Sequence, residues 1–167
     1  MDIDLTTLTQ GITILTGGRG SGKTTTCQKW VEQAHRADWH ISGLISPAVF
    51  ENGEKTAIDV INLKSGERRR LANRVNRHTG FDVTDHWNFS PDVMTWSNAA
   101  LNEHTPCDLF MVDELGPLEF SLRQGWGNAF QALQEGFFRF AVVVIRPELL
   151  DEACRIWPYA NIIDLDA

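Results

Sequence analysis

The chain has 167 residues, 43% hydrophobic and 22% charged, the size and composition of one globular domain. Its net charge of −7 argues against a general nucleic-acid binder, which carries a broad basic face, but not against a nucleotide held by a few local donors. Cys27, Cys107 and Cys154 lack metal-ligand spacing and read as reduced thiols of a cytoplasmic protein; the opening MDIDLTTLTQ has no signal-peptide character, and no apolar run approaches ~18 residues, so no membrane span is expected.

In chain order, residues 11–16, GITILT, form a short β-branched run ending in glycines, a buried strand. A helix is expected from about Gly22 to Ala37, with Trp30, Val31 and Ala34 on one face. Residues 40–50 read as extended, with Pro47 marking an edge or bulge. Asn52-Gly53 is a turn signal, and Thr56 to Leu63 is the returning strand, so residues 40–63 make an antiparallel hairpin. Residues 67–90 have the least regular pattern; only Phe81 to Val83 suggests a short strand. Ser90 caps a helix with Pro91 in its first turn, expected to run to about His104. Asp108 to Val112 is an apolar strand, 123–136 a helix, and Phe138 to Ile145 a second apolar strand. Pro147 opens a helix ending before Pro158, and Ala160 to Leu165 is a last strand.

Continuous apolar strands separated by helices indicate a mostly parallel sheet covered on both faces, an α/β fold in one domain over residues 1–167. Ligands of such sheets bind at the carboxyl ends of the strands. The chemistry is therefore expected just after Thr16, Val112 and Ile145.

The segment GGRGSGKT, residues 17–24, fits G-x-x-x-x-G-K-[ST] between a strand and a helix. The expected nucleotide-binding residues are Gly17, Gly18, Arg19, Gly20, Ser21, Gly22, Lys23, Thr24 and Thr25, with Arg19 and Ser21 at variable positions. Backbone N–H groups of such a loop form an anion nest at a helix N-terminus. Lys23 would bridge the β- and γ-phosphates, and Thr24 would offer its hydroxyl to Mg²⁺. The fold expected is thus the three-layer P-loop NTPase fold, binding a nucleoside triphosphate such as ATP or GTP.

Such a loop needs a carboxylate at the end of an apolar strand to hold Mg²⁺. Asp113 is that metal-side residue, and Glu114 is the candidate general base for the water attacking the γ-phosphate. A glutamate directly after the metal aspartate suits a hydrolase better than a kinase. Catalytic work is assigned to Glu114 and Lys23, and metal binding to Thr24 and Asp113.

The segment VDELGPLEF, residues 112–120, resembles the D-E-[IL]-G-P-[ML]-E-[LF] signature of the cancer-related nucleoside-triphosphatase family. ILTGGRGSGKTT, SGLISPAVF at 42–50, GERRRLA at 66–72 and the Phe81 to Asn102 region are similar to further stretches of that family. The resemblance implies a RecA/AAA-like P-loop domain and slow Mg²⁺-dependent hydrolysis of nucleoside triphosphates with broad base tolerance. The phosphate loop, Asp113 and Glu114 are the implied site, with Glu119 in the same motif. Where the family has Glu-Val-Arg, this chain has Ala48-Val49-Phe50.

From Lys64 to His78 there are six Lys or Arg and one Glu. Arg68, Arg69, Arg70, Arg74 and Arg77 could supply a γ-phosphate finger, a surface for a phosphorylated partner or RNA, or a solvated basic helix face, with Arg68, Arg69 and Arg70 open to a protein partner. Arg146, at a strand's carboxyl end, is the other candidate for the γ-phosphate. Trp126 is a candidate to stack on a base, although the six tryptophans read mainly as packing. Two alternatives remain beside hydrolysis: a P-loop nucleoside or small-molecule kinase, and a nucleotide-gated regulatory module.

Overall fold

The computed structural model describes residues 3–79, 82–103 and 106–167, and for 76–79 and 82–86 the backbone only. The elements are β1 (Gly11–Thr16), α1 (Lys23–Arg36), β2 (Ile41–Ile45), β3 (Ala48–Glu51), β4 (Glu54–Asn62), β5 (Arg68–Thr79) and β6 (Asp82–Phe89), followed by α2 (Pro91–Ala100). Then come β7 (Cys107–Leu115), α3 (Pro117–Leu122), α4 (Asn128–Glu135), β8 (Phe138–Ile145), α5 (Leu150–Ile156) and β9 (Asn161–Asp164).

One nine-stranded sheet runs in the order β6-β5-β4-β2-β7-β8-β1-β9, with β3 also on β4. From β2 to β9 the pairing is parallel. From β2 outward through β4, β5 and β6 it is antiparallel. The mostly parallel α/β sheet expected from the sequence is present. Its antiparallel part is larger than a hairpin over 40–63 and takes in the whole stretch to Phe89.

Successive residues of a strand face opposite sides of the sheet. Ile14, Val112 and Val143 are buried on the side covered by α2, α4 and α5. Leu15, Met111 and Val142 are buried on the other, beneath Cys27, Trp30, Val31 and Ala34 of α1. Strands buried on both faces need apolar residues at every position, so GITILT and FAVVVI show no alternation.

The expected strands at 11–16 and 138–145 and the helix after the glycine loop fall where the sequence put them. Pro47 does interrupt the 40–50 stretch, and both pieces, β2 and β3, lie against β4. The single helix expected over 123–136 is α4 alone, preceded by a separate α3. Arg123 in the left-handed conformation ends α3 before the Gly125-Trp126-Gly127 turn. The basic stretch is a strand, not a helix face: Arg68 and Arg70 share one side and Arg69 the other, the period of extended chain. Helix α2 stops at Ala100, earlier than expected. Phe81 and His104 lie outside the described residues, as does the side chain of Arg77. No helix among the described residues is long and apolar enough to cross a membrane.

Candidate nucleotide site

Strand β1 delivers the chain into the glycine loop at the carboxyl edge of the parallel strands. Gly22, the residue capping α1, has φ +92°, a left-handed conformation that glycine adopts without cost. Helical bonding in α1 begins with the Thr26 N–H donating to the Gly22 carbonyl at 2.9 Å. The amides of Lys23, Thr24 and Thr25 therefore have no acceptor within the helix and present its positive end to the loop. Lys23 curls over the loop, its Nζ donating to the carbonyls of Gly17 at 2.7 Å and Gly18 at 2.8 Å. On the outer side, the Gly18 N–H donates to Asp166 Oδ2 at 2.5 Å, which ties the loop to the segment after β9.

Strand β7 brings the acidic pair. In the β7–β8 ladder Val112 is opposite Val143 and Leu115 opposite Ile145, so two residues of β7 occupy the space of one in β8. This is a bulge at Asp113 and Glu114, a device that re-aims side chains at sites. Strict alternation would send the two carboxylates to opposite faces, yet both line one cleft. The peptide joining them is cis.

Asp113 is buried, and its Oδ2 accepts the Thr24 hydroxyl at 2.9 Å. Ser46, after β2, donates its hydroxyl to the Asp113 carbonyl at 2.5 Å and so fixes the bulge. Burial pushes the Asp113 carboxyl up to about 7, with the Glu114 charge adding to it; hydrogen bonds from the Thr24 hydroxyl and the Ser46 backbone N–H and the Lys23 charge oppose the rise. A buried carboxylate in this condition favours a cation beside it. Thr24 Oγ1 and Asp113 Oδ2 form an oxygen pair that could hold a divalent cation whose other ligands are waters and substrate phosphates. Among the described residues no three His, Cys, Asp or Glu gather to hold a metal without such help.

Glu114 is partly exposed. Its Oε1 accepts both Nε of Arg146 at 2.9 Å and Nη2 of Arg146 at 2.8 Å. Arg146 follows β8, which lies between β7 and β1 in the sheet, and it lines the same cleft as the acidic pair and the phosphate loop.

The cleft holding these groups has a volume of about 870 Å³. It contains Lys23, Thr24, Asp113, Glu114 and Arg146, which the sequence singled out. It also contains Lys55 and Trp87 of the antiparallel ribbon, which the sequence did not. Asp166 and Ser46 were missed as well; a lone serine or aspartate in a loop carries no motif.

Other expected residues are placed elsewhere. Trp126 is buried at 3% exposure with its Nε1 donating to Ser97 at 2.8 Å, so it is a packing residue and not a base platform. Glu119, also buried, accepts the Gly116 N–H at 2.9 Å and the Trp126 N–H at 3.3 Å. It caps α3 and fastens the turn behind the acidic pair. Arg68 and Arg70 both bind Asp59, at 2.7 and 2.6 Å. Arg69 pairs with Glu67 at 2.7 Å and lies over the Trp96 ring. All three arginines are thus engaged within the chain.

A sequence profile of a family described as NTPase matches residues 12–153. The chain belongs to this NTPase family. It is 33% identical over 106 residues to the nucleoside-triphosphatase THEP1 of Pyrobaculum islandicum, covering 64% of this chain and 58% of that protein. A second match, to THEP1 of Ignicoccus hospitalis, is 29% identical and covers 65% of this chain and 60% of that protein. The chain thus spans about three fifths of the length of these relatives. Among solved structures the fold is similar to that of a human cancer-related nucleoside triphosphatase, with a TM-score of 0.64 at 20% identity, covering 92% of this chain and 88% of that one. THEP1 from Aquifex aeolicus is similar at a TM-score of 0.58 and 19% identity, covering 92% and 89%. The NTPase family resemblance read from VDELGPLEF agrees with these matches, and so does the P-loop NTPase fold.

Proposed function

We propose that this chain hydrolyses nucleoside 5′-triphosphates, ATP and GTP among them, to the diphosphate and phosphate, with Mg²⁺. The observation that carries the reading is the 2.9 Å contact between Thr24 Oγ1 and Asp113 Oδ2, with Glu114 in the same cleft. It joins the phosphate loop to the acidic strand end at the point where a P-loop enzyme holds its ion. The relatives' names, nucleoside-triphosphatase, support the same activity.

In this reading amides of the Gly17–Thr25 loop cradle the phosphates, the Gly18 N–H exchanging Asp166 for them, with Arg19 lining the cleft beside them. Lys23 exchanges the Gly17 and Gly18 carbonyls for β- and γ-phosphate oxygens. Thr24 and Asp113 would hold Mg²⁺, which would offset the negative charge gathering on those oxygens. Glu114 orients a water molecule and takes its proton as the water oxygen bonds to the γ-phosphorus and the bond to the β-bridging oxygen breaks. Arg146 is within reach of both Glu114 and the γ-phosphate position, and it stabilises the charge spread over the transferred group.

A kinase built on the same loop would deliver the γ-phosphoryl group to a hydroxyl, and the two outcomes separate cleanly. With γ-labelled ATP, the label is expected as free phosphate, abolished by EDTA, restored by Mg²⁺ and lost in Lys23→Ala. Label recovered on another molecule, or release indifferent to Mg²⁺, sinks the proposal.

A further inference from the structure

The antiparallel ribbon forms a wall of the cleft opposite the phosphate loop. Phe50 of β3, Lys55 of β4 and Trp87 and Phe89 of β6 face into it. Lys55 is the charged group of this wall. Its ammonium lies 5.1 Å from the centre of the Trp87 ring. Among the described residues no carboxylate pairs with Lys55, nor with Arg19 on the loop. The other two cations of the cleft are occupied, Lys23 by loop carbonyls and Arg146 by Glu114.

Lys55 lines the same cleft as Lys23, Arg19, Asp113, Glu114 and Arg146. It feels the charges of Arg19, Glu114, Arg146 and Asp113, the groups that would meet a terminal phosphate there. Burial, followed by the Arg19 charge, holds the Lys55 ammonium below the usual lysine range. The strand geometry also aims it inward: the β3–β4 ladder shifts register between Val49 and Phe50, and beyond that shift Lys55 is directly opposite Phe50. Of the four cations around this cleft only Arg146 pairs with a carboxylate among the described residues, so the others oppose each other unless a multiply charged anion enters. Their concentration in a chain of net charge −7 is a local arrangement, not a general excess of base.

We propose that Lys55 is a terminal-phosphate ligand supplied by the ribbon, held ready by the face of Trp87, and that it makes the site favour triphosphates over diphosphates. This rests on the nucleoside-triphosphate reading of the cleft and deepens it. A triphosphate offers the γ-oxygens that Lys55 can reach; a diphosphate leaves it on Trp87.

Lys55→Met keeps the aliphatic stem and removes the charge. Binding of Mg·ATP in its non-hydrolysable β,γ-imido form and of Mg·ADP should be titrated against wild type, Lys55→Met and Lys55→Arg in the full chain. The imido analogue should bind Lys55→Met about tenfold or more weakly, ADP should change by less than about twofold, and Lys55→Arg should recover most of the loss. Equal losses for both nucleotides, or no loss for either, would overturn the Lys55 assignment while leaving the nucleotide reading standing. A wild-type chain that binds neither nucleotide removes both.

Discussion

The two halves of the sheet place their chemistry differently. In the parallel half, β7 and β8 run through apolar centres at Leu109–Val112 and Ala141–Ile145, and the polar groups of the cleft sit at carboxyl tips: the loop after Thr16, Asp113–Glu114, and Arg146. In the antiparallel half the strands carry charges along their flanks. Asp59 of β4 is bound by Arg68 and Arg70 of β5, and Lys55 looks from β4 into the cleft. A strand covered on both faces can afford polarity only where it ends. A strand with a wet face can offer a functional side chain at every second residue.

The largest test of this division acts at the seam. Gly43 of β2 has φ +106°, and a Cβ there would lie 1.9 Å from the Met111 carbonyl oxygen of β7. Its own carbonyl accepts the Leu63 N–H at 2.9 Å on the antiparallel side. Gly43→Ala should therefore cost about 3 kcal/mol of stability, through a backbone clash and an unfavourable φ together. A urea midpoint unchanged from wild type would mean the halves are not joined this closely. Next in size is the roughly tenfold loss of triphosphate affinity in Lys55→Met. It tests whether the ribbon shares in the site or merely borders it.

The smallest effect concerns the ribbon's own cohesion. Burial tends to raise the Asp59 carboxyl, but the hydrogen bonds and charges of Arg68 and Arg70 outweigh it and hold it below the usual carboxylate range. A depressed carboxyl contributes stability that is present above the unfolded value and is lost as pH falls through the folded one. Asp59→Asn should thus cost about 1 kcal/mol near neutrality, the arginines being half exposed, and the difference from wild type should shrink as pH falls below about 3.8. A difference that stays constant with pH would assign Asp59 a packing role instead.

The same division explains what could be read from the sequence. That Gly17, Lys23, Thr24, Asp113 and Glu114 share one cleft was legible because the proposed phosphate and metal chemistry uses fixed residue types at strand ends, and apolar runs announce those ends. Arg146 was legible by position alone. Lys55 and Trp87 belong to a region where exposed strands carry mixed polar residues and show little periodicity. Their approach to the loop depends on pairing between β4, β5 and β6, which no local pattern encodes. Phe50 marked a departure from the resembling family's Glu-Val-Arg, but only the register shows a cation standing opposite it, at Lys55. Trp126 misled for the converse reason: its place after the acidic motif suggested the site, while Ser97 and Glu119 hold it in the core.

The central claim is that Glu114, brought beside Asp113 by the β7 bulge, activates water for attack on a bound triphosphate. Its most direct test is phosphate release by Glu114→Gln at saturating Mg·ATP, with nucleotide affinity measured on the same preparation. Turnover should fall by about a hundredfold or more while affinity stays near wild type. Unchanged turnover with binding intact would contradict it.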